Sequence, residues 1–341
     1  MRYIGFLALM LYVNAIYSQP AKSKYENIVF EGAGVRGIAY SGVIHQLERE
    51  GVIKQLVKVG GTSAGAITAL MVSLGYNSDE IYKIISDTKF QKFNDGEFFF
   101  VGGLSRMKHR FGWYKGDEFT KWLEEIIINK TGNRDITLKM LREKGFKDLY
   151  VTGTCLNKQR LLIFSAESYP EMKVKDAVRI SMSIPLYFEA GFIDSLGKVY
   201  KKQNAKADLD VVVDGGIIGN FPIFMFDQVV KDTANKNVRV ANYKTIGVRI
   251  DTDSQIKSDS LTKELVPLPI KNMGDYMTAF YILMLENLNR NTLIPEDWDR
   301  TISVSSVGIA PKIKKLSAAQ KNALIASGEK HTAAFISRSK N

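Results

Sequence analysis

Hydrophobic positions along this chain follow two rhythms. Short apolar runs occur at Ile28-Val29-Phe30, Leu56 to Gly60, Val151 to Cys155, around Leu162, at Val211-Val212-Val213 and around Ile246. Between them lie longer stretches in which apolar residues recur every three or four positions. The first kind predicts buried strands and the second amphipathic helices. Helical patterns cover Ile38 to Glu50, Ala64 to Leu74, Gly116 to Thr131, Met273 to Leu288 and Ala318 to Ile336. In the third of these, Phe119, Leu123, Ile126 and Ile127 share one side, as core packing requires. Ser317-Ala318-Ala319-Gln320 is a capping box that opens the last. Thr301 to Val307 predicts a final strand, and the polar stretch Ser254 to Thr262 a surface loop. The alternation of strand and helix predicts an α/β fold with a mostly parallel central sheet and helices on both faces. There is no internal repeat.

Two strand-to-helix junctions carry candidate chemistry. At one, Gly61-Thr62-Ser63-Ala64-Gly65 places a serine between two glycines, which predicts a nucleophile elbow. In so sharp a turn Cβ atoms at the flanking positions would collide, so Gly61 and Gly65 clear the way for the serine Oγ. At the other, Glu31-Gly32-Ala33-Gly34-Val35-Arg36-Gly37 leaves a strand and opens a helix. Free N–H groups at such a helix start face an anion. That anion is either a dinucleotide pyrophosphate, for which Gly32-x-Gly34-x-x-Gly37 is the formal fingerprint, or the oxyanion of acyl transfer. The dinucleotide reading wants an acid at the end of the next strand. That strand ends at Gly60-Gly61-Thr62-Ser63, and Glu48 and Glu50 fall in the helix. The oxyanion hole fits better, because the next strand delivers a nucleophile. Further on, Asp214 closes an apolar run and is followed by Gly215 and Gly216. Taken alone this is a common Asp-Gly-Gly turn.

Taken in order, Gly32-Ala33-Gly34-Val35-Arg36-Gly37, Gly61-Thr62-Ser63-Ala64-Gly65, the Ser181-Met182-Ser183-Ile184-Pro185 block and Asp214-Gly215-Gly216 resemble the patatin-like phospholipase family in its secreted bacterial form. The resemblance runs from about Tyr25 to Phe226. It implies a patatin-like core over 25–230, with 231–341 as a C-terminal extension completing the same α/β domain. It also implies a Ser63–Asp214 catalytic dyad, an oxyanion hole on the Gly32–Gly37 loop, and release of fatty acids from membrane lipids or other lipid esters without a cofactor or metal. Many members carry successive glycines in the first loop, where this chain has Ala33. Alanine keeps its N–H, so the hole survives if that position needs no positive φ. The three histidines agree with a dyad. Only His331 follows Asp214 in the order a Ser–acid–His triad needs, and it lies in a helical pattern. His45 reads as a satisfied structural histidine, and His109 sits in a basic stretch. Arg36 reads equally as a structural partner that steadies the loop and as a contact for a lipid phosphate. The Met273 to Leu288 pattern is apolar enough to be either a buried helix or a wall for an acyl chain. Two other classes stay open: a catalytically poor lipid-binding protein on the same fold, and a nucleotide-binding protein using Gly32 to Gly37.

Composition narrows the partners. The chain has 341 residues, 45% of them hydrophobic, enough for one large α/β domain, and a formal net charge of +11. The basic excess suits an anionic membrane surface. The lysines are scattered and no nucleic-acid motif is present, so a nucleic-acid partner is not expected. Residues 1–18 read as a signal peptide: Arg2 is their only charge, Tyr3 to Ala15 is apolar, and Ser18 suits cleavage. Export, to the periplasm or beyond, is therefore expected. Cys155 is the only cysteine, so there is no intramolecular disulfide, and a buried inert thiol is expected. Phe98 to Tyr114 mixes aromatic and basic residues with Gly102-Gly103, which reads equally as a hinged lid at a membrane and as a packed loop with charged edges.

Overall fold

A computed structural model describes residues 24–96, 99–200, 208–310 and 316–340. The expected leader, 1–18, and Phe98 lie outside them. A nine-stranded sheet forms the centre of the molecule. Asn27–Phe30 is buried along its whole length, as a strand covered on both faces must be. Thr245–Asp251 and Lys58–Gly61 pair on either side of it, with Thr301–Ser305 beyond the first and Asp148–Cys155 beyond the second. All of these pairings are parallel. The fold is a mixed α/β architecture with a mostly parallel central sheet.

Past Asp148–Cys155 every pairing is antiparallel, which strand–helix alternation did not signal. For Arg160–Phe164 the reason is chain length. Only the turn Leu156–Gln159 separates Asp148–Cys155 from Arg160–Phe164, and a parallel return needs a crossover of a dozen or more residues. Asp210–Asp214 pairs on the other side of the same strand, and Gly191–Ile193 with Val199–Tyr200 finish that edge.

Helices flank the sheet. Ala39–Arg49 buries Val43, Ile44 and Leu47, and Ala64–Ser73 is buried almost throughout. The C-terminal helix Ala318–Lys340 starts on its capping box, with Gln320 N donating to Ser317 Oγ at 3.2 Å and Ser317 N to Gln320 Oε1 at 3.0 Å. It lies directly on Ala39–Arg49. A Cβ on Gly42 would come 2.0 Å from the Ile325 carbonyl oxygen, and one on Gly328 2.3 Å from that of Ala39. The two backbones touch because both positions lack a side chain.

Three segments depart from expectation. Ser254 to Thr262 is not a loop: Asp253–Leu261 is a helix, capped by the Thr252 hydroxyl accepting from Gln255 N at 3.2 Å. Its buried positions are Gln255 and Asp259, both polar, so hydrophobic periodicity is silent there. Met273–Arg290 is helical, but Met273, Tyr276, Met277 and Phe280 face solvent rather than a core. In the lid candidate, Phe99–Arg110 is a helix and Gly112–Tyr114 a strand paired in parallel with Leu186–Phe188. Gly103 serves close packing there, since a Cβ would stand 2.8 Å from the Trp113 ring.

Candidate active site

The elbow has the backbone its sequence calls for. Ser63 adopts φ 53° and ψ −122°, a conformation costing of order 1–3 kcal/mol that only a surrounding fold can impose. The flanking glycines make room for it. A Cβ on Gly65 would meet the Phe30 carbonyl oxygen at 2.4 Å, and one on Gly61 the Gly65 carbonyl oxygen at 2.4 Å. Thr62 anchors the turn from beneath, its hydroxyl 2.6 Å from that of Thr152 and 2.7 Å from the Gly219 carbonyl oxygen.

Strand register brings serine and aspartate together. Gly61, two residues before Ser63, pairs with Val151, two residues before Gly153. Gly153 is in turn the partner of Asp214 across the antiparallel step. Two residues 151 positions apart are thus brought together, the Ser63 hydroxyl bonding the Asp214 carboxyl. Asp214 N donates to the Ser183 carbonyl at 2.9 Å, and Gly216 N to Asp214 Oδ1 at 2.7 Å. Burial pushes the Asp214 carboxyl up to about 7, against the lowering effect of the Gly216 N–H and the Ser63 hydroxyl. Gly215 packs against Thr152, where a Cβ would meet Oγ1 at 2.1 Å.

The glycine loop faces the same point. Ala33 has φ −130°, so the residue that interrupts the glycines needs no left-handed backbone; Gly34, at φ 55°, does. A 3₁₀ turn follows over Gly34–Ile38. Not every N–H of Gly32 to Gly37 is available. Gly32 N donates to the Asn220 carbonyl at 3.0 Å and Arg36 N to that of Ala33 at 3.2 Å, while Gly37 lies inside the turn. Among the described residues, the N–H groups of Gly34 and Val35, and that of Ala64 after Ser63, have no acceptor and border the cavity at Ser63. Ala64 was not anticipated, although a helix start always leaves such an N–H. The N–H of Ser63 itself is taken by Ser181 Oγ at 3.0 Å. Arg36 Nε donates to the Ala33 carbonyl at 3.3 Å, which holds the loop.

Residues distant in sequence lock loop and acid together. Asn220 Nδ2 donates to the Gly32 carbonyl at 3.1 Å and to Glu31 Oε1 at 3.3 Å. Asn220 N donates to Asn289 Oδ1, and Asn289 Nδ2 donates to the Gly216 carbonyl at 3.1 Å. Glu31 Oε2 also accepts from Ile250 N at 3.0 Å, and burial pushes its carboxyl up against the pull of the Arg249 guanidinium. In the Ser181–Pro185 block, Arg179 donates to Ser183 Oγ at 2.8 Å and to the Lys115 carbonyl at 2.6 Å. Burial lowers the Arg179 pKa to about 10.

A cavity of about 290 Å³ opens at Ser63. Its walls include Ile67, Ile85, Phe90, Phe93, Ile184 and Phe188, with Leu316 and Lys321 from the C-terminal segment. Met182 also lines it, its sulfur 3.3 Å from Ser63 Oγ. The histidines are engaged elsewhere: His45 Nδ1 is 2.7 Å from Glu329, His109 Nδ1 2.9 Å from the Ser105 carbonyl, and His331 Nδ1 2.8 Å from the Ser327 carbonyl. Glu48, one of the acids a dinucleotide ribose would need, accepts from Ser78 N and Oγ. Among the described residues no cluster of His, Cys, Asp and Glu could hold a metal ion. Cys155 is buried, and burial raises its thiol pKa.

Sheet, elbow and buried acid define a class: α/β proteins built around a serine on a strand-to-helix turn. Within that class, the chain belongs to the patatin-like phospholipase family, whose model matches residues 28–227. It is 33% identical over 213 residues to the uncharacterized protein YqhO of Bacillus subtilis (strain 168), covering 60% of this chain and 67% of that protein. It is 27% identical over 245 residues to 463L of Invertebrate iridescent virus 6, named a probable lipid hydrolase, covering 70% and 75%. The crystal structure of VipD from Legionella pneumophila shares the fold at a TM-score of 0.58 and 17% identity, over 93% of this chain and 67% of that one. Family membership supports lipid hydrolase activity for this chain.

Proposed function

We propose that the chain is a serine acyl hydrolase that releases fatty acids from membrane lipids through Ser63 and Asp214. The observation that carries this reading is a buried carboxyl beside a strained serine at the mouth of an apolar cavity, where burial pushes the acid up to about 7. An aspartate in water, with a pKa near 4, is a poor base toward a hydroxyl, and burial makes it a better one. Ser63 Oγ attacks the ester carbonyl carbon while its proton passes to Asp214. The N–H groups of Gly34, Val35 and Ala64 hold the oxyanion. Collapse expels the alcohol, which takes the proton from Asp214, and leaves the acyl group on Ser63. Water, deprotonated by Asp214, then attacks the acyl-enzyme, and the fatty acid departs as the proton returns to Ser63. The apolar walls suit the acyl chain, and the basic chain suits an anionic bilayer. Residues 1–18, read as an export signal, would place the enzyme in the periplasm or outside the cell.

Hydrolysis of p-nitrophenyl butyrate and of phospholipid vesicles tests the dyad. Ser63→Ala and Asp214→Ala should each lose activity by about 10³-fold or more with unchanged circular dichroism. Full activity in either folded variant would refute the dyad.

A further inference from the structure

The helix Met273–Arg290 presents an apolar stripe to water. Met273, Tyr276, Met277 and Phe280 follow the i, i+3, i+4, i+7 spacing of a core-facing stripe, yet they are 73%, 54%, 55% and 50% exposed. The segment leading into the helix carries exposed Leu268, Ile270 and Lys271, whereas Lys263 lies at the other end, its carbonyl accepting from Arg290 at 3.3 Å. The acids nearby are Glu264, which is exposed, and Asp275, whose carboxylate accepts from Lys271 N at 3.1 Å and Asn272 Nδ2 at 3.0 Å as part of the helix cap. The other end of the helix is fixed. Arg290 bonds Asp259 at 2.8 Å and Glu286 at 3.1 Å, and Asn289 bonds the Asn220 and Gly216 backbones beside the dyad. The stripe is therefore held out on a braced element.

We propose that this face is the surface by which the protein docks on an anionic bilayer. Met273, Tyr276, Met277 and Phe280 would enter the headgroup–acyl boundary, with Lys271 at the phosphates. This rests on the lipid-hydrolase reading for the identity of the occupant. Three observations favour a bilayer. An exposed stripe of Tyr, Met and Phe, with Lys271 just before its N-terminal end, has the pattern of an interfacial helix. A net charge of +11 draws the chain to an anionic surface and opposes pairing with a second copy. The same helix ends on the dyad turn, and Phe280 lies only about 13 Å along the axis from Asn289. Docking would bring lipid to the catalytic end of the molecule.

The test is sedimentation of the catalytically inert Ser63→Ala chain with phosphatidylcholine vesicles containing phosphatidylglycerol. Adding Met277→Ser and Phe280→Ser should lower the bound fraction about tenfold or more. Adding Val230→Ser and Val238→Ser instead, which removes two exposed apolar side chains from the hairpin Gln228–Lys231/Asn237–Val240, should leave it within about twofold. In the Ser63 protein, the Met277→Ser/Phe280→Ser pair should depress vesicle hydrolysis about tenfold more than p-nitrophenyl butyrate hydrolysis. Unchanged binding by the helix double variant would overturn the proposal, as would equal loss from the hairpin variant. A dimer in the parent that the helix substitutions dissolve, seen by light scattering, would overturn it in favour of a second copy. Because binding is read on an inert protein, failure of the docking site and failure of the dyad are separate results.

Discussion

Asp214 is where the chemistry of one residue makes the sharpest demands. Its carboxyl is raised to about 7 by burial, so it is neutral in the fold at mildly acidic pH and becomes a base only above that. kcat/KM on a soluble ester should therefore rise through a limb near pH 7; a limb near pH 4 would mean that the working carboxyl is not the buried one. Stability runs the opposite way. A raised folded pKa makes the group's contribution complete below its unfolded pKa of about 4, and that contribution is lost as pH rises through about 7. Asn at this position cannot ionise and still accepts from Gly216 N. Asp214→Asn should therefore be inactive, yet melt higher than the parent at pH 8.5 by roughly 3–6 °C, with the gap narrowing at pH 5. Thermal unfolding at the two pH values measures it. The turn at Ser63 and its glycines was legible in the sequence because steric demand leaves a local mark, whereas Asp214 taken alone read as a common Asp-Gly-Gly turn and only the family resemblance picked it out. Asn220, Asn289, Ser181 and Met182 were not singled out for these contacts, because what they do depends on partners 69 or more residues away.

At the scale of the element, the loop from Gly32 to Gly37 separates residues that carry glycine by need from those that do not. Gly34 sits at φ 55°, where a side chain costs roughly 1–2 kcal/mol, while Ala33 sits at φ −130°, which any residue adopts. Gly34→Ala should cut kcat on a soluble ester by about 10- to 100-fold, because it displaces an N–H proposed for the oxyanion. Ala33→Gly, which restores the family's run of glycines, should change kcat by less than about threefold. Steady-state kinetics of the two variants decides the point, and a large gain from Ala33→Gly would mean that the alanine distorts the hole. Element type was readable wherever the apolar period was strong, as at Ala39–Arg49 and Asp117–Thr131. It failed for Asp253–Leu261, whose inward side chains are polar and join Arg290 and the Val266 N–H rather than an apolar core. For Met273–Arg290 the period was right, but the side it faces is set by what packs there, and a period carries no such information.

The molecule as a whole joins its two chain ends across the site. Ser63 and the glycine loop come from the first 65 residues, yet Leu316 and Lys321, at the start of the C-terminal helix, complete the cavity wall. That helix is held by the Ala39–Arg49 helix through the bare backbones at Gly42 and Gly328, and Ile325 and Ala39 fill the space a side chain would need. No hydrophobic pattern announces such a contact, because it consists of two missing side chains. Gly328→Val should push the helices apart and destabilise the fold by about 1–3 kcal/mol, lowering the melting temperature by roughly 2–5 °C. The more informative effect is on substrate choice. With the C-terminal segment displaced, the wall at Leu316 and Lys321 loosens while Ser63, Asp214 and the loop keep their own supports on the sheet. KM for a long-chain p-nitrophenyl ester should therefore rise severalfold more than KM for the butyrate, with kcat on the butyrate nearly retained. Equal loss on both esters would mean that the C-terminal helix supports the proposed dyad itself rather than the cavity proposed for the acyl chain.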